Sequence, residues 1–425
     1  MLSSKKKNND YHIRETYRTL APLNYVLKII GLGMGLGCNL ADEKNPKRCW
    51  VMIRNIFRAS VIGILDFYTL SYKINYLTAS ISPSIMYTDY VQAIYDFLQY
   101  IVDLYFVRKY GSVCSKYFKQ YEVIDRILVT VNYCTFTKQL WLVIGFFLIL
   151  WLSSSVCDFT AWVLSYGWEI AFIYALMYIF LLVKILTTLD LTSQIMHIEC
   201  RLRAMGDLLE SYCNATESCS PLFERNKKKW AEVTSRVDDP QTRPTHVPHT
   251  LQMKELQLLV NYHEVKWLSR CYLLLTEQAA FVNKMYGTRI LLNSLSLLID
   301  MVRFTNIGAR ILMGSQKTKY YSGYMPVVSS IMRLLTCAAV LLSMVAHCEQ
   351  VYSQKDRIMD IIYNLLIFKN PDENLKTAVS ELRDLIQARP IDFTLANFFR
   401  LDYSLLASIA SVVVTYTIIL LQSLN

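Results

Sequence analysis

Charge is scarce in this chain of 425 residues. Only 18% are Asp, Glu, Lys or Arg, against roughly a quarter in a soluble globular domain. With 53% hydrophobic residues and a mean hydropathy of +0.26, that shortage argues against a large soluble enzyme. Catalytic signatures are missing as well: there is no H-E-x-x-H, no G-x-S-x-G and no P-loop, so nothing points to an enzyme. The glycine run from Gly31 to Gly37 is not a dinucleotide fingerprint, because position 36 is Leu and no strand precedes it. It reads as close packing or a turn at the membrane surface. His246 and His249 sit in a Pro-rich stretch without Cys or carboxylate at ligand spacing, which leaves no metal site and no cofactor to expect. The basic run Arg225 to Lys229 reads as a solvated or lipid-facing cytoplasmic patch, and no nucleic-acid partner is expected. Matched broken helices and internal repeats are also lacking, which argues against a transporter.

What the chain has is long apolar runs. A helix needs about 20 mostly apolar residues to span the hydrocarbon core, and stretches such as Leu140 to Trp151 have no place in a soluble fold. The pattern predicts an all-α membrane protein with seven transmembrane helices, at 55–76, 86–106, 138–158, 168–191, 284–304, 325–347 and 404–424. Arg58, Asp66 and Lys73 interrupt the first. Segment 25–37 is apolar but short and Gly-rich, so it reads as interfacial or re-entrant. Its 24-residue polar lead is too long for the n-region of a signal peptide. The chain then divides into a cytoplasmic N-terminal segment (1–54), spans one to four (55–191), a long cytoplasmic loop (192–283), spans five and six (284–347), a cytoplasmic loop and helix (348–403), and the last span (404–424).

Lys and Arg set the orientation, because cytoplasmic loops retain positive charge. Ten fall before the first span, six from Arg108 to Lys138 at the junction of spans two and three, eleven in 192–283 and seven in 348–403; the opposite loops hold almost none. This places the N-terminus inside and the C-terminus outside. A G-protein-coupled receptor has the reverse orientation and commonly an external disulfide. Here Cys157 is the one cysteine clearly near the outer face, and the sequon Asn214-Ala215-Thr216 falls in a cytoplasmic loop.

Two groups of residues stand out inside the spans. Gln92, Asp96, Gln99 and Asp103 recur at steps of four, three and four, one polar stripe along a helix. Intramembrane carboxylates are expensive and must face the bundle interior; Lys184, Arg303 and Arg333 are candidate partners. Asp103 and Lys184 both belong to the inner half by depth, and Asp300 and Arg303 are close enough along one helix to pair directly. Such a stripe serves either helix registry or a polar cavity. Tyr87, Trp151, Trp162, Trp168, Tyr174, Phe304 and Tyr324 cluster toward the outer halves of spans two to six, with Asp158 at the mouth. Aromatics there act as interface anchors or line a small-molecule pocket.

The end of the chain carries the specific signal. Thr415-Tyr416, five further residues, Gln422 and Ser423 closely resemble the T-Y-five hydrophobics-Q-F signature of insect gustatory receptors. The stretch Phe393 to Leu406, including Asp402, is similar to the segment that precedes the same helix in that family. Two positions depart from it: Ser423 replaces the usual Phe, and Asn397 the usual Gly. Thr417 stands where sugar-responsive members often carry Glu, which leans toward bitter or other non-sugar members. The resemblance implies a ligand-gated, non-selective cation channel of the plasma membrane of sensory-neuron dendrites. It implies a homo- or heterotetramer with other gustatory receptors, opened by a small tastant bound in the outer aromatic pocket and embedded in membrane lipid. The last span would line the pore. Ser404, Ser408, Ser411, Thr415 and Gln422 share one face of it, with Ser423 beyond, as water-filled lining requires; close helix packing is the other use of such small residues. An odorant receptor of the same fold and a G-protein-coupled chemoreceptor are the alternatives.

Overall fold

The computed structural model describes residues 20–21, 23–33, 46–72, 75, 83–128, 133–215, 249–314, 323–368 and 373–422. Over these residues the chain is almost wholly helical: α1 (Pro46–Tyr72), α2 (Pro83–Leu128), α3 (Tyr133–Tyr166), α4 (Trp168–Ala215), α5 (His249–Leu312), α6 (Met325–Phe368), α7 (Glu373–Ala388) and α8 (Tyr403–Gln422). A two-stranded antiparallel hairpin, β1 (Thr394–Leu395) and β2 (Phe399–Arg400), separates α7 from α8. Helix α6 packs against α3, α4, α5, α7 and α8, and α5 against α2, α4, α6, α7 and α8, so these two form the axis of the bundle.

Among the described residues, four helices are long and apolar enough to cross a membrane, lying within Thr135–Tyr166, Trp168–Ser211, His263–Leu312 and Met325–Ile367. A shorter apolar helix runs over Tyr403–Ile419. In α3 the residues Leu142, Phe146, Ile149, Leu152 and Val156 are exposed at steps of three and four. A continuous apolar stripe of that kind on the outside of the bundle suits lipid rather than water. Helix α2 is less apolar because Asp89, Asp96 and Asp103 lie on it, but all three are buried.

The helices outrun the expected spans. At 1.5 Å per residue the 64 residues of α5 extend about 96 Å, far beyond a hydrocarbon core of roughly 30 Å. The long loop expected at 192–283 is therefore corrected at both ends. Helix α4 continues to Ala215 and α5 begins at His249, while 216–248 lie outside the described residues. The cause is amphipathic continuation: Ile195, Ile198, Leu202, Met205 and Leu209 in α4, and Val265, Leu268, Tyr272, Leu275 and Ala279 in α5, are all buried in the core. Likewise α6 runs to Phe368, and α7 follows it, within the segment 348–403 expected as loop and helix. Of segment 25–37, residues 25–33 are described, with one face on the core and Tyr25 and Ile29 exposed. Leu20, Leu23, Leu27 and Leu32 are buried in the main core, and the Tyr100 hydroxyl donates to the Ile30 carbonyl at 2.8 Å.

The hairpin is built for close approach. Ala396 and Asn397 take positive φ (50° and 64°), and Phe398 N–H donates to the Leu395 carbonyl at 2.9 Å, a type I′ turn. Asn tolerates that conformation better than most residues, which accommodates Asn397 where the resemblance expects Gly. The turn lies against Gly287 of α5, where a Cβ would stand 3.0 Å from Ala396 N and 3.2 Å from the Thr394 carbonyl oxygen. The Asn283 side chain clamps the same strand, donating to the Asp392 carbonyl at 2.7 Å and accepting from Thr394 N–H at 3.1 Å.

Candidate functional site

Carboxylates on α2 meet cations from α4 and α5 at successive levels. Asp89, Asp96 and Asp103 recur every seven residues, two turns of helix, so they share a face. At the first level Asp89 pairs with Arg303 Nε at 2.5 Å and accepts from the Tyr174 hydroxyl at 2.9 Å. At the second, Lys184 bridges Asp96 at 2.8 Å and Asp300 at 2.7 Å. Gln92 Nε2 donates to Asp96 at 2.8 Å and to Ser296 Oγ at 3.0 Å. Between levels, Gln99 Nε2 donates to Asn293 at 2.9 Å, and Asn293 donates to the Thr188 hydroxyl at 2.7 Å. At the third, Asp103 pairs with Arg289 Nε at 2.8 Å, both side chains fully buried. Further along, Arg201 grips Asp125 through two 2.9 Å bonds.

The stripe Gln92, Asp96, Gln99 and Asp103 thus lies wholly inside the bundle, but three pairings differ from those expected. Asp103 takes Arg289 rather than Lys184, and Arg333 pairs with Asp158 at 3.4 Å instead of with the stripe. Asp300 and Arg303 do not pair with each other; each faces a different helix, where Lys184 and Asp89 await them.

Above the second level lies a cavity enclosing about 880 Å³ of space not filled by atoms, part of it open to solvent. Four helices contribute stripes at helical spacing: Asp158, Ala161, Trp162 and Ser165 from α3; Tyr174, Tyr178, Leu181 and Lys184 from α4; Asp300, Arg303, Phe304, Ile307 and Ile311 from α5; Pro326, Ser329, Ser330 and Arg333 from α6. Asp96 reaches it from α2. Trp162 and Tyr174 stack with centroids 3.9 Å apart. The Arg333 guanidinium lies 4.5 Å from the Tyr178 ring centroid, within cation–π range. Asp158 accepts from the Ser329 hydroxyl at 2.5 Å.

Of the residues expected around a pocket, Asp158, Trp162, Tyr174 and Phe304 line this cavity. The other four do not. Tyr87, Trp168 and Tyr324 are 65%, 61% and 78% exposed and point outward. Trp151 sits behind the wall, donating from Nε1 to the Tyr178 carbonyl at 2.9 Å. Among the lining residues not assigned to a pocket from sequence, Tyr178 and Asp300 lie four residues from Tyr174 and Phe304, while Arg303 and Arg333 had been singled out only as partners for the stripe. That periodicity was the available signal that charge and aromatics build one site.

Helix α8 stands at the edge. Leu405, Leu406, Ile409 and Val413 pack on the core, whereas Ser404, Ser408, Ser411, Thr415 and Gln422 are exposed. Tyr416 is exposed too; Ser423 lies outside the described residues. Asp402 caps the helix, accepting from Leu405 N–H at 3.1 Å and the Ser404 hydroxyl at 2.5 Å. Those bonds, led by the hydroxyl, hold its carboxyl below the usual carboxylate range. No group of three or more His, Cys, Asp or Glu at metal-binding distance occurs among the described residues, and Cys157, Cys200, Cys271, Cys337 and Cys348 form no disulfide.

The fold is a helical bundle with a buried charge ladder, an aromatic cavity, four helices long and apolar enough to cross a membrane among the described residues, and a terminal apolar helix packed along one edge. The family whose description is 7tm chemosensory receptor matches residues 20–423, so the chain belongs to that family and is a multi-pass protein of the plasma membrane. Its fold is similar to the solved structure of the insect olfactory receptor OR5 from Machilis hrabei in complex with eugenol. The TM-score is 0.57 at 14% identity, covering 97% of this chain and 99% of that one. Without that ligand the same receptor gives a TM-score of 0.55 at 12% identity, with the same coverage. At such identity the likeness is one of fold. No curated protein sequence matches the chain significantly.

Proposed function

We propose that this protein is a gustatory-type receptor, a ligand-gated non-selective cation channel in which a small tastant of the bitter or other non-sugar class occupies the outer cavity. Seven spans, α1 to α6 and α8, cross the membrane with the N-terminus inside and the C-terminus outside. Four subunits, identical or mixed with other gustatory receptors, surround a pore lined by α8. The observation that carries this reading is α8 itself: 20 strongly apolar residues whose hydroxyl and amide face finds no cover within its own chain. An exposed face of that kind suits water on one side and neighbouring subunits or lipid on the others.

Ligand binding shifts the closed-to-open equilibrium only by its differential affinity for the two states. The cavity touches α3 to α6, and α6 and α5 are the helices on which α8 packs, giving a short mechanical path from ligand to pore. Voltage-clamp recording with Ser408→Cys and Ser411→Cys tests the pore: a charged thiol reagent applied from outside should block ligand-evoked current. Unchanged current after confirmed labelling would refute pore lining.

An odorant receptor role is the second reading, favoured by the likeness to an olfactory receptor solved with eugenol bound. Responses to volatile phenols with none to non-volatile bitter compounds would support it.

A further inference from the structure

We propose that the cavity selects a small organic cation, holding its ammonium group against Asp96 and Asp300. The inference rests on the reading of that cavity as the ligand site and adds the chemical class of ligand.

Charge bookkeeping is the first ground. Among the described residues in and directly behind the lining, four carboxylates (Asp89, Asp96, Asp158, Asp300) face three cations (Lys184, Arg303, Arg333). Two of the cations are each matched by one carboxylate, Arg303 by Asp89 and Arg333 by Asp158. The surplus negative charge therefore sits in the triad around Lys184, where one ammonium serves two carboxylates, each with a side chain at most 7% exposed. Charge left unmatched in a low-dielectric interior is costly, and a cationic ligand would neutralise it.

Hydrogen bonding is the second ground. Lys184, Gln92 and Ser296 all address one oxygen of Asp96, Oδ1. Lys184 addresses only Oδ2 of Asp300. The remaining oxygens, Asp96 Oδ2 and Asp300 Oδ1, accept no hydrogen bond, and both residues line the cavity. Two free acceptors beside a surplus negative charge suit an N⁺–H donor. Above them, Phe304, Tyr178 and Trp162 offer an apolar, aromatic wall for the body of such a ligand. A carboxylate ligand would double the surplus charge, and an uncharged apolar one would leave both oxygens unmatched.

One carbon skeleton in three charge states tests this. Phenethylamine, 2-phenylethanol and phenylacetate are added to the full-length protein purified in detergent at neutral pH, and the unfolding midpoint is followed as each is titrated to about 10 mM. Stabilisation by the amine well above that by the alcohol and the carboxylate is expected. Asp300→Asn, which leaves Lys184 paired with Asp96, should weaken the amine about tenfold or more, as loss of a charged hydrogen bond requires. Asp96→Asn serves as the second variant, and each variant's own midpoint reports whether it folds. Equal stabilisation by the alcohol or the carboxylate overturns the proposal, as does an amine without effect. Ala161→Trp, which fills the cavity, separates the two claims. If it abolishes binding of a non-cationic probe, the site stands and the cation preference falls. If amine binding survives it, the cavity itself is not the site.

Discussion

Single residues inside this bundle matter most where charge is buried. Arg289 and Asp103 are both 0% exposed and 2.8 Å apart. Removing one partner strands the other, at a cost of about 3–5 kcal/mol, a large share of the roughly 5–15 kcal/mol that holds a typical domain folded. Arg289→Met should sharply lower the unfolding midpoint measured by size-exclusion chromatography after heating. Adding Asp103→Leu should restore part of it, because the buried Asp190, which also faces Arg289, still lacks its cation; no rescue at all would mean the pair contributes more than charge balance. The stripe from Gln92 to Asp103 was legible in the sequence, since helical period alone assigns residues to a face. Its partners were not. Arg289 lies 186 positions from Asp103, and whether Lys184, Arg289 or Arg303 meets a given carboxylate depends on the depth at which helices cross. Asp89 continues the seven-residue step of Asp96 and Asp103 beyond the end of that stripe.

At the scale of elements, the turn that leads into α8 links the bundle to the proposed pore. Gly287→Ala places a Cβ 3.0 Å from backbone nitrogen of the hairpin, so the hairpin must shift. A lower unfolding midpoint is expected, with Asn397→Gly in the wild-type background tolerated because glycine takes positive φ freely. Asp402→Ala removes the cap of α8 and should cost about 0.5–2 kcal/mol of local stability, read as faster amide exchange in its first turn. Because the folded carboxyl titrates below its ordinary value, the cap's contribution is fully present above about pH 4 and is lost as pH falls through the lowered folded value. Asp402→Asn, which still caps, should flatten that dependence. The helices themselves were legible where hydropathy is continuous. Their extensions beyond the expected spans were not, because Ile195 to Leu209 and Val265 to Ala279 place apolar residues at helical spacing in the shared core amid polar neighbours. A window tuned to uniform apolarity passes over such segments.

At the scale of the whole molecule, the family and the helical fold were visible in composition and in the final motif. The cavity was visible only in part, since its walls come from helices distant in sequence. Replacing Gln422 with Leu should change single-channel conductance while leaving assembly intact, as native gel migration would report; unchanged conductance would remove Gln422 from the pore. The proposed gating, ligand access and pore all depend on one orientation of the bundle. The most direct measurement is antibody access to an epitope tag fused after Asn425, in intact and in permeabilised cells, with surface delivery verified separately. Labelling of intact cells is the expected result and places the outer end of α8 outside the cell. Labelling only after permeabilisation would contradict the inverted topology and, with it, the channel.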